Sequence, residues 1–238
     1  MNDRLSNEVL SRIALFRGLS DAELAEVLDA AQVRPIAPGE SLFEQDADAT
    51  AFFVLLTGRV KVAQLTPEGQ QVVVRFVGPG EMLGCVALVS GSTYPGTAEV
   101  SQAGRVLVWD GPTTEQLMKR APRLALNALA IQGRHLREMQ NRCRELATER
   151  VERRVARAVL RLAGQAGRQL ADGLHIGFPI SRQDLAEITG TTLYTVSRTL
   201  TGWERRGLVA LGREEVVICD AVALQAIAED LEVTLAAT

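Results

Sequence analysis

At 238 residues the chain is long enough for one large or two small domains, and its 47% apolar content is that of a globular protein. No run approaches the ~20 apolar residues of a membrane span, and MNDRLSNEVL lacks the basic start and apolar core of a secretory signal. The net charge of −3 argues weakly against a nucleic-acid partner until it is divided along the chain.

Residues 1–133 carry 11 basic and 15 acidic side chains, residues 134–213 carry 15 arginines against 8 acids, and residues 214–238 carry 6 acids and no base. That asymmetry is expected of a phosphate-facing region beside an acidic sensor. The plainer account is a solvated helix face, because Arg and Glu alternate along Arg142–Arg161. Cys85, Cys143 and Cys219 lie far apart. They form no metal-spacing motif, disulfide framework or iron–sulfur cluster motif, which points to a reducing cytoplasm and no metal.

In chain order, Ser6–Phe16 and Asp21–Ala31 show helical periodicity, with Ser20 placed to cap the second. Short β-rich pieces follow at Val33–Ile36, Ser41–Glu44, Phe52–Thr57, Val60–Leu65, Gln71–Phe76, Ala98–Ser101 and Val106–Trp109. Breakers at Pro38-Gly39, Asp46–Asp48, Gly58, Pro67–Gly69 and Gly78–Gly80 separate them, as in a sandwich or barrel. Within Pro79–Val100, backbone amides around Gly80–Val86 could cradle an anion. A jelly-roll corner has the same composition and is the favoured reading.

Thr113–Lys119 reads as a short helix stopped before Pro122, and Arg123–Ala147 as a long one. Leu129, Gln132, Leu136, Met139, Cys143 and Leu146 repeat as 3-4-3-4-3, a heptad seam. It is too short for an isolated coiled coil. A parallel seam between two copies makes a two-fold dimer; the alternative is a helix packed on its own β-domain. Glu149–Gly164 continues as a helix, and His175–Ile180 reads as a short strand.

Pro179–Val209 reads as two short helices joined by a tight turn. Ser181 caps the first with Asp184, Leu185, Ala186 and Ile188 form its apolar side, and Thr189-Gly190 ends it. Thr191 or Thr192 caps the second. There Leu193, Val196, Leu200 and Trp203 share a buried face, while Tyr194, Ser197, Arg198 and Thr201 lie on the other. A helix-turn-helix lays such a second helix in the DNA major groove; an ordinary helical hairpin on an enzyme is the bland alternative. Leu208–Leu211, Gly212-Arg213 and Val216–Ile218 then read as a hairpin wing with Arg213 at its tip. Asp220 caps Ala221–Glu229, and the acidic end Glu229–Glu232 is solvated.

This assembled order closely resembles the CRP/FNR family of bacterial transcription regulators over nearly the whole chain. The resemblance is carried by ERRVARAVLRLA (Glu152–Ala163), ISRQDLAEITGTTLYTVSRTLTGWERRGLV, PGESLFEQDADA, LLTGRVKV and VGPGEMLG. It implies an α+β fold. Residues 1–120 would form a cyclic-nucleotide-binding-like β-roll (a jelly roll) with N-terminal helices. Residues 121–148 would be a dimerisation helix, and residues 149–238 a winged helix-turn-helix. The implied function is a homodimeric regulator on a near-palindromic operator, controlled by an effector in the roll.

In the family the arginine of the TVSR segment reads a base and the serine assists, roles that fall on Arg198 and Ser197. Arginine can bond a guanine edge twice, worth ~1–3 kcal/mol of discrimination. Tyr194 stands where the family often has glutamate and cannot accept a hydrogen bond from cytosine as a carboxylate does; a thymine methyl or a phosphate is open to it. Thr191, Thr192, Ser181, Arg182 and Arg213 are the phosphate candidates.

Members that bind cyclic AMP carry a glutamate for the ribose and an arginine–serine pair for the phosphate. The matching stretch, GCVALVSGSTYPGTAEV, has no such glutamate and has Gly96 before Thr97. Cyclic AMP would lose its charge-assisted partner, so it is not expected to be a tight effector. The expected pocket comprises Gly84, Cys85, Val86, Thr97, Met139 and Gln140. GSTYPGTA and TTLYTVSR look most like the nitrogen-oxide branch, where some members are thought to sense nitric oxide through haem. His135 and His175 are the histidines available to one, although a lone helix histidine is ordinarily a surface or packed side chain. The expected partners are double-stranded DNA, a second copy, an unknown small effector and RNA polymerase, with no membrane. No catalytic set is visible. A reading from another class is a small-molecule-binding module acting on a protein partner through its helical tail.

Overall fold

The computed structural model describes Leu10, residues 13–88 and residues 91–231. Most of the expected Ser6–Phe16 helix and the acid Glu232 lie outside the described residues; Ala14–Phe16 form a 3-10 turn. In order there follow α1 (Asp21–Asp29), β1 (Gln32–Ile36), β2 (Ser41–Phe43), β3 (Ala51–Leu65), β4 (Gln71–Val77) and β5 (Met82–Leu83). A 3-10 turn at Cys85–Leu88 leads to β6 (Thr97–Asp110), α2 (Gly111–Arg120) and α3 (Pro122–Thr148). The boundary between two compact units falls inside α3, after Met139.

In the first unit β3 and β6 pair antiparallel from Ala51 opposite Asp110 to Ala63 opposite Thr97. The sequence pattern predicts four strands here, and the structure has two long bent ones. The register shifts between Leu55 and Val60, where the breaker Gly58 takes φ +92°. A Cβ on Gly58 would meet the Gln102 carbonyl oxygen at 2.6 Å, and one on Gly104 would meet that of Thr57 at 1.9 Å. The glycines let two backbones approach and bend without reversing, so they act as bulge residues and not as turns. The sheet runs β1-β6-β3-β4, with β2 on β6 and β5 on β3.

Alternate residues of β3 feed two cores, as a period of two requires. Phe52 and Val54 join Leu15, Phe16, Leu24, Trp109, Leu117, Leu124 and Ile131, which ties α1, α2 and the start of α3 to the sheet. Phe53 and Leu55 join Ile36, Val77, Val100 and Val106 inside the roll. The Trp109 indole donates to the Val27 carbonyl at 2.8 Å, which satisfies its buried N–H.

The second unit contains α4 (Val151–Ala166), β7 (Gly167–Leu170), β8 (Gly173–Ile176), α5 (Arg182–Thr189), α6 (Leu193–Arg205), β9 (Val209–Gly212), β10 (Glu215–Ile218) and α7 (Ala221–Glu229). The strands form an antiparallel sheet in the order β7-β8-β10-β9. β7 is exposed along its length and polar, so no alternation in GRQL announces it. The strand expected at His175–Ile180 begins and ends earlier, as β8. Val155, Val159 and Leu162 of α4 are buried, as are Leu185, Val196, Leu200, Trp203 and Leu224. At the acidic end Asp230 is not wholly solvated: Arg153 lies 3.4 Å from its carboxylate. Among the described residues no helix is long and apolar enough to cross a membrane.

Candidate nucleic-acid interface and effector region

The two-helix unit is set by its caps. The Ser181 hydroxyl accepts the Asp184 N–H at 3.0 Å, while the Ser181 N–H donates to the Asp184 carboxylate at 3.1 Å. The same hydroxyl donates to that carboxylate at 2.6 Å, so Ser181 is committed to starting α5. Gly190 ends α5 at φ 60°, ψ 47°, a left-handed conformation that costs glycine little. Thr192, not Thr191, caps α6, accepting the Thr195 N–H at 3.2 Å. The Thr191 N–H donates to the Ala186 carbonyl at 3.1 Å.

On α6, Val196, Leu200 and Trp203 are buried. Tyr194 is 73% exposed, and the exposed Arg198 guanidinium lies 5.9 Å from its ring centroid, a cation–π distance. Ser197 and Thr201 are half-buried between the two faces. Leu193 departs from the expectation. It is 47% exposed and lines a groove of about 350 Å³ with Ile180, Leu200 and Leu211. As the first residue of α6 it stands over the wing-side groove and not over the core. Arg213 and Glu214 form the two-residue tip between β9 and β10, with Arg213 exposed. Arg182 is exposed in the first turn of α5.

The arginine excess divides into two sets. Arg182, Arg198, Arg205, Arg206 and Arg213 are exposed. Others serve the fold: Arg161 grips both Glu145 carboxylate oxygens at 2.9 and 2.8 Å, and Arg157 bonds Glu149 at 3.0 Å. Charge counted along the sequence does not separate phosphate-facing arginines from these.

The expected effector residues fall at the corner after β5, on β6 and on α3. Gly84 takes φ +70° against the Ala51 carbonyl, and Val86 is half-buried in the 3-10 turn. The Thr97 hydroxyl accepts the Gln45 N–H at 3.0 Å. Met139 and Gln140 are exposed on α3. Of the amides suggested as an anion cradle, Gly80 N–H donates to the Leu55 carbonyl at 2.7 Å and Glu81 N–H to the Gly78 carbonyl at 3.1 Å, so these two serve the corner itself.

The residues that do meet are Arg75, Glu81, Cys85, Gln132 and His135. The Arg75 guanidinium donates to the Met82 carbonyl at 2.7 Å, lies 3.0 Å from His135 Nε2 and 3.7 Å from Glu81. A guanidinium offers no acceptor, so His135 Nε2 must be the acceptor and unprotonated. Burial first, then the Arg75 and Arg134 charges, push the His135 pKa from 6.5 down to about 4. The Gln132 amide reaches the Cys85 sulfur, and burial raises that thiol's pKa against the pull of Arg75. Sequence reasoning missed Arg75 and Glu81. The one available signal was a charge inside the apolar run VVVRFV.

Both histidines named for a haem have ring nitrogens engaged by other side chains. His135 Nε2 is engaged by Arg75, and the two ring nitrogens of His175 lie 3.0 Å from Glu215 and 2.8 Å from Asp172. Those carboxylates, Asp172 foremost, raise the His175 pKa.

His135 also makes stability depend on pH. An unfolded histidine binds its proton near pH 6.5 and the folded one near 4, so between those values the unfolded chain holds more protons. Stability is therefore lost as pH falls from 6.5 towards 4. His135→Gln keeps an acceptor for Arg75 and removes the titration. Thermal melts at pH 4.5 and 7.5 are expected to differ by roughly 2–4 °C less in the variant than in the parent. Identical pH dependence in the two would contradict the assignment.

Along α3 the strongly exposed apolar side chains are Leu126 at 58%, Leu129 at 69% and Leu136 at 60%. They share a 3-4-3-4-3 stripe with Gly133, Gln140 and Cys143. The expected seam included Gln132, Met139 and Leu146. Gln132 turns to Cys85, and Leu146 is exposed at 46% beside Gly190, whose added Cβ would meet it at 2.9 Å. Met139 is exposed at the edge of the stripe. Leu124, Ala128 and Ile131 are buried on the opposite side. Two interleaved apolar series thus run along one helix, and the outward one is centred on Leu129, Gly133 and Leu136.

Residues 33–121 match the cyclic nucleotide-binding domain, and residues 153–227 match the Crp-like helix-turn-helix domain. The chain is 30% identical over 214 residues to the cyclic AMP receptor protein of Thermus thermophilus, covering 90% of this chain and 96% of the relative. It is 29% identical over 220 residues to the nitrogen fixation regulation protein FixK of Bradyrhizobium diazoefficiens, covering 90% of each. In fold it resembles FixK2 from Bradyrhizobium japonicum, with a TM-score of 0.73 at 23% identity over 83% of this chain and 96% of the other.

Proposed function

We propose that this chain, which belongs to the CRP/FNR family of DNA-binding transcription regulators, works as a homodimer that places one α6 in each half of a near-palindromic operator. The observation that carries this reading is the polarity of α6. Arg198 and Tyr194 stand exposed together, opposite buried Val196, Leu200 and Trp203. Arg198 and Ser197 read bases, and Tyr194 offers its ring to a thymine methyl or its hydroxyl to a phosphate. Arg182 and Arg213 meet phosphates, with Thr191 and Thr192 at the start of α6 beside them. Ser181, held in its cap, contributes by presenting Arg182.

The dimer is supported by the stripe of Leu126, Leu129 and Leu136, large apolar side chains that a second copy would cover. The effector acts in the roll and is not cyclic AMP, since the matching stretch has no glutamate for the ribose and has Gly96 before Thr97 where the phosphate arginine would stand. The Arg75, Cys85, Gln132 and His135 group joins the roll to α3, so a ligand that favours one arrangement of that group biases the seam. RNA polymerase is the further partner such a regulator would meet.

Selection from a random duplex library, read by fluorescence polarisation, tests the reading. A two-fold symmetric sequence is expected, with half-sites ~34–36 Å apart and affinity falling steeply with salt. Failure to prefer any duplex at any salt would overturn it and favour a protein partner.

A further inference from the structure

The first turn of α4 grips the recognition unit at both ends. Arg154 donates from Nε to the Thr189 carbonyl at 3.0 Å and from Nη2 to that of Gly190 at 3.4 Å. Its third nitrogen, Nη1, donates to the Glu149 carbonyl at 2.8 Å, in the two-residue break between α3 and α4. Arg142, in the last turns of α3, adds a bond to the Ile188 carbonyl at 2.9 Å. A helix end leaves its last carbonyls open, and here three consecutive ones receive guanidinium N–H groups. At the far end of α6 the Trp203 indole donates to the Glu152 carboxylate at 2.9 Å, with Arg206 4.0 Å from the same oxygen.

We infer that Arg154 and Glu152 are positioning residues for DNA reading: Arg154 fixes the turn that precedes α6, Glu152 fixes its end, and the direction of α6 therefore follows α4. A solvated helix end would satisfy the same carbonyls without setting a direction. A planar guanidinium on two carbonyls holds both distance and orientation. Arg154 has each of its three nitrogens on a backbone carbonyl, so it is not a phosphate contact. Because it also holds the break, a change in the angle between α3 and α4 reaches the turn through one side chain. The inference rests on the DNA-reading role proposed above.

The test uses the full chain and two duplexes, the one selected from the library and a scrambled version. Arg154→Gln is expected to weaken binding to the selected duplex about tenfold while changing binding to the scrambled one less than about twofold. Arg154→Lys, which keeps the charge and one donor direction, recovers part of that ratio. Fluorotryptophan labelling gives a second readout, because the chain has two tryptophans, Trp109 and Trp203. The Trp203 fluorine resonance is expected to move in Arg154→Gln and in Glu152→Gln, with that of Trp109 in place.

A role in stability alone would lower the melting temperature and leave the affinity ratio and the Trp203 resonance unchanged, which overturns the inference. Equal weakening on both duplexes also overturns it, by making Arg154 a phosphate contact. If Arg154→Gln does not fold, the ratio in Arg154→Lys decides, and an unchanged ratio overturns the inference. If the parent protein selects no duplex, the DNA reading itself has failed; if it does and the variants keep its selectivity, only the positioning role has.

Discussion

Arg198→Ala is expected to cut affinity for the selected operator by roughly 30-fold to 10⁴-fold. A bidentate arginine–guanine contact is worth ~1–3 kcal/mol, and a dimer loses it twice. Affinity for random duplex should fall far less, because one cation among several exposed arginines changes the phosphate attraction only slightly. The substitution removes an exposed side chain whose ring contact is with the exposed Tyr194, so the fold should hold. Polarisation titrations on both duplexes check this. Equal losses on the two would mean that Arg198 contacts phosphate and that another residue reads the base.

The second large effect concerns the stripe on α3. Leu129→Glu combined with Leu136→Glu places two carboxylates per chain where two copies would meet, on positions already exposed in one chain. The expected result is a folded monomer by light scattering. Operator affinity should fall by about 10² or more, because the second half-site is no longer bound within the same molecule. The slope of affinity against salt should fall to about half, in step with the phosphates lost.

Cys143 reports the register independently. A disulfide needs Cα atoms ~4.4–6.8 Å apart, so mild oxidation should join two parent chains through Cys143 if the helices lie parallel in that register. The cross-link should vanish in Cys143→Ser and persist in Cys219→Ser. A double Leu variant that stays dimeric would place the subunit contact elsewhere.

Much of the recognition unit was legible because its signals are local. Ser181 with Asp184, Gly190 and Asp220 each act on backbone within a few residues, and the structure has each at the helix end predicted for it. The division of α6 into a Val196–Leu200–Trp203 face and a Tyr194–Arg198 face follows from helical period alone. Leu193 escaped that rule because period says which side chains share a face, not where the covering neighbour ends. The roll was legible as many strands, but not their continuity. Whether Gly58 ends a strand or bends it depends on Gly104, which lies far along the chain and against the Thr57 carbonyl.

By itself the sequence determined the order of roll, long helix and winged helix-turn-helix, the caps at Ser181, Gly190 and Asp220, the family and the side chains that α6 turns away from its core. All of these depend on neighbours a few positions away or on a pattern carried along the chain. Tertiary structure decided the rest. It turned Gln132 to Cys85 and left Leu126, Leu129 and Leu136 as the open stripe. It set Arg75 against His135, and it divided the arginines between exposed cations and the clamps formed by Arg154 and Arg161. The reason is physical: a charged or apolar side chain has no fixed role until folding brings up the carbonyl, carboxylate or second surface that it meets.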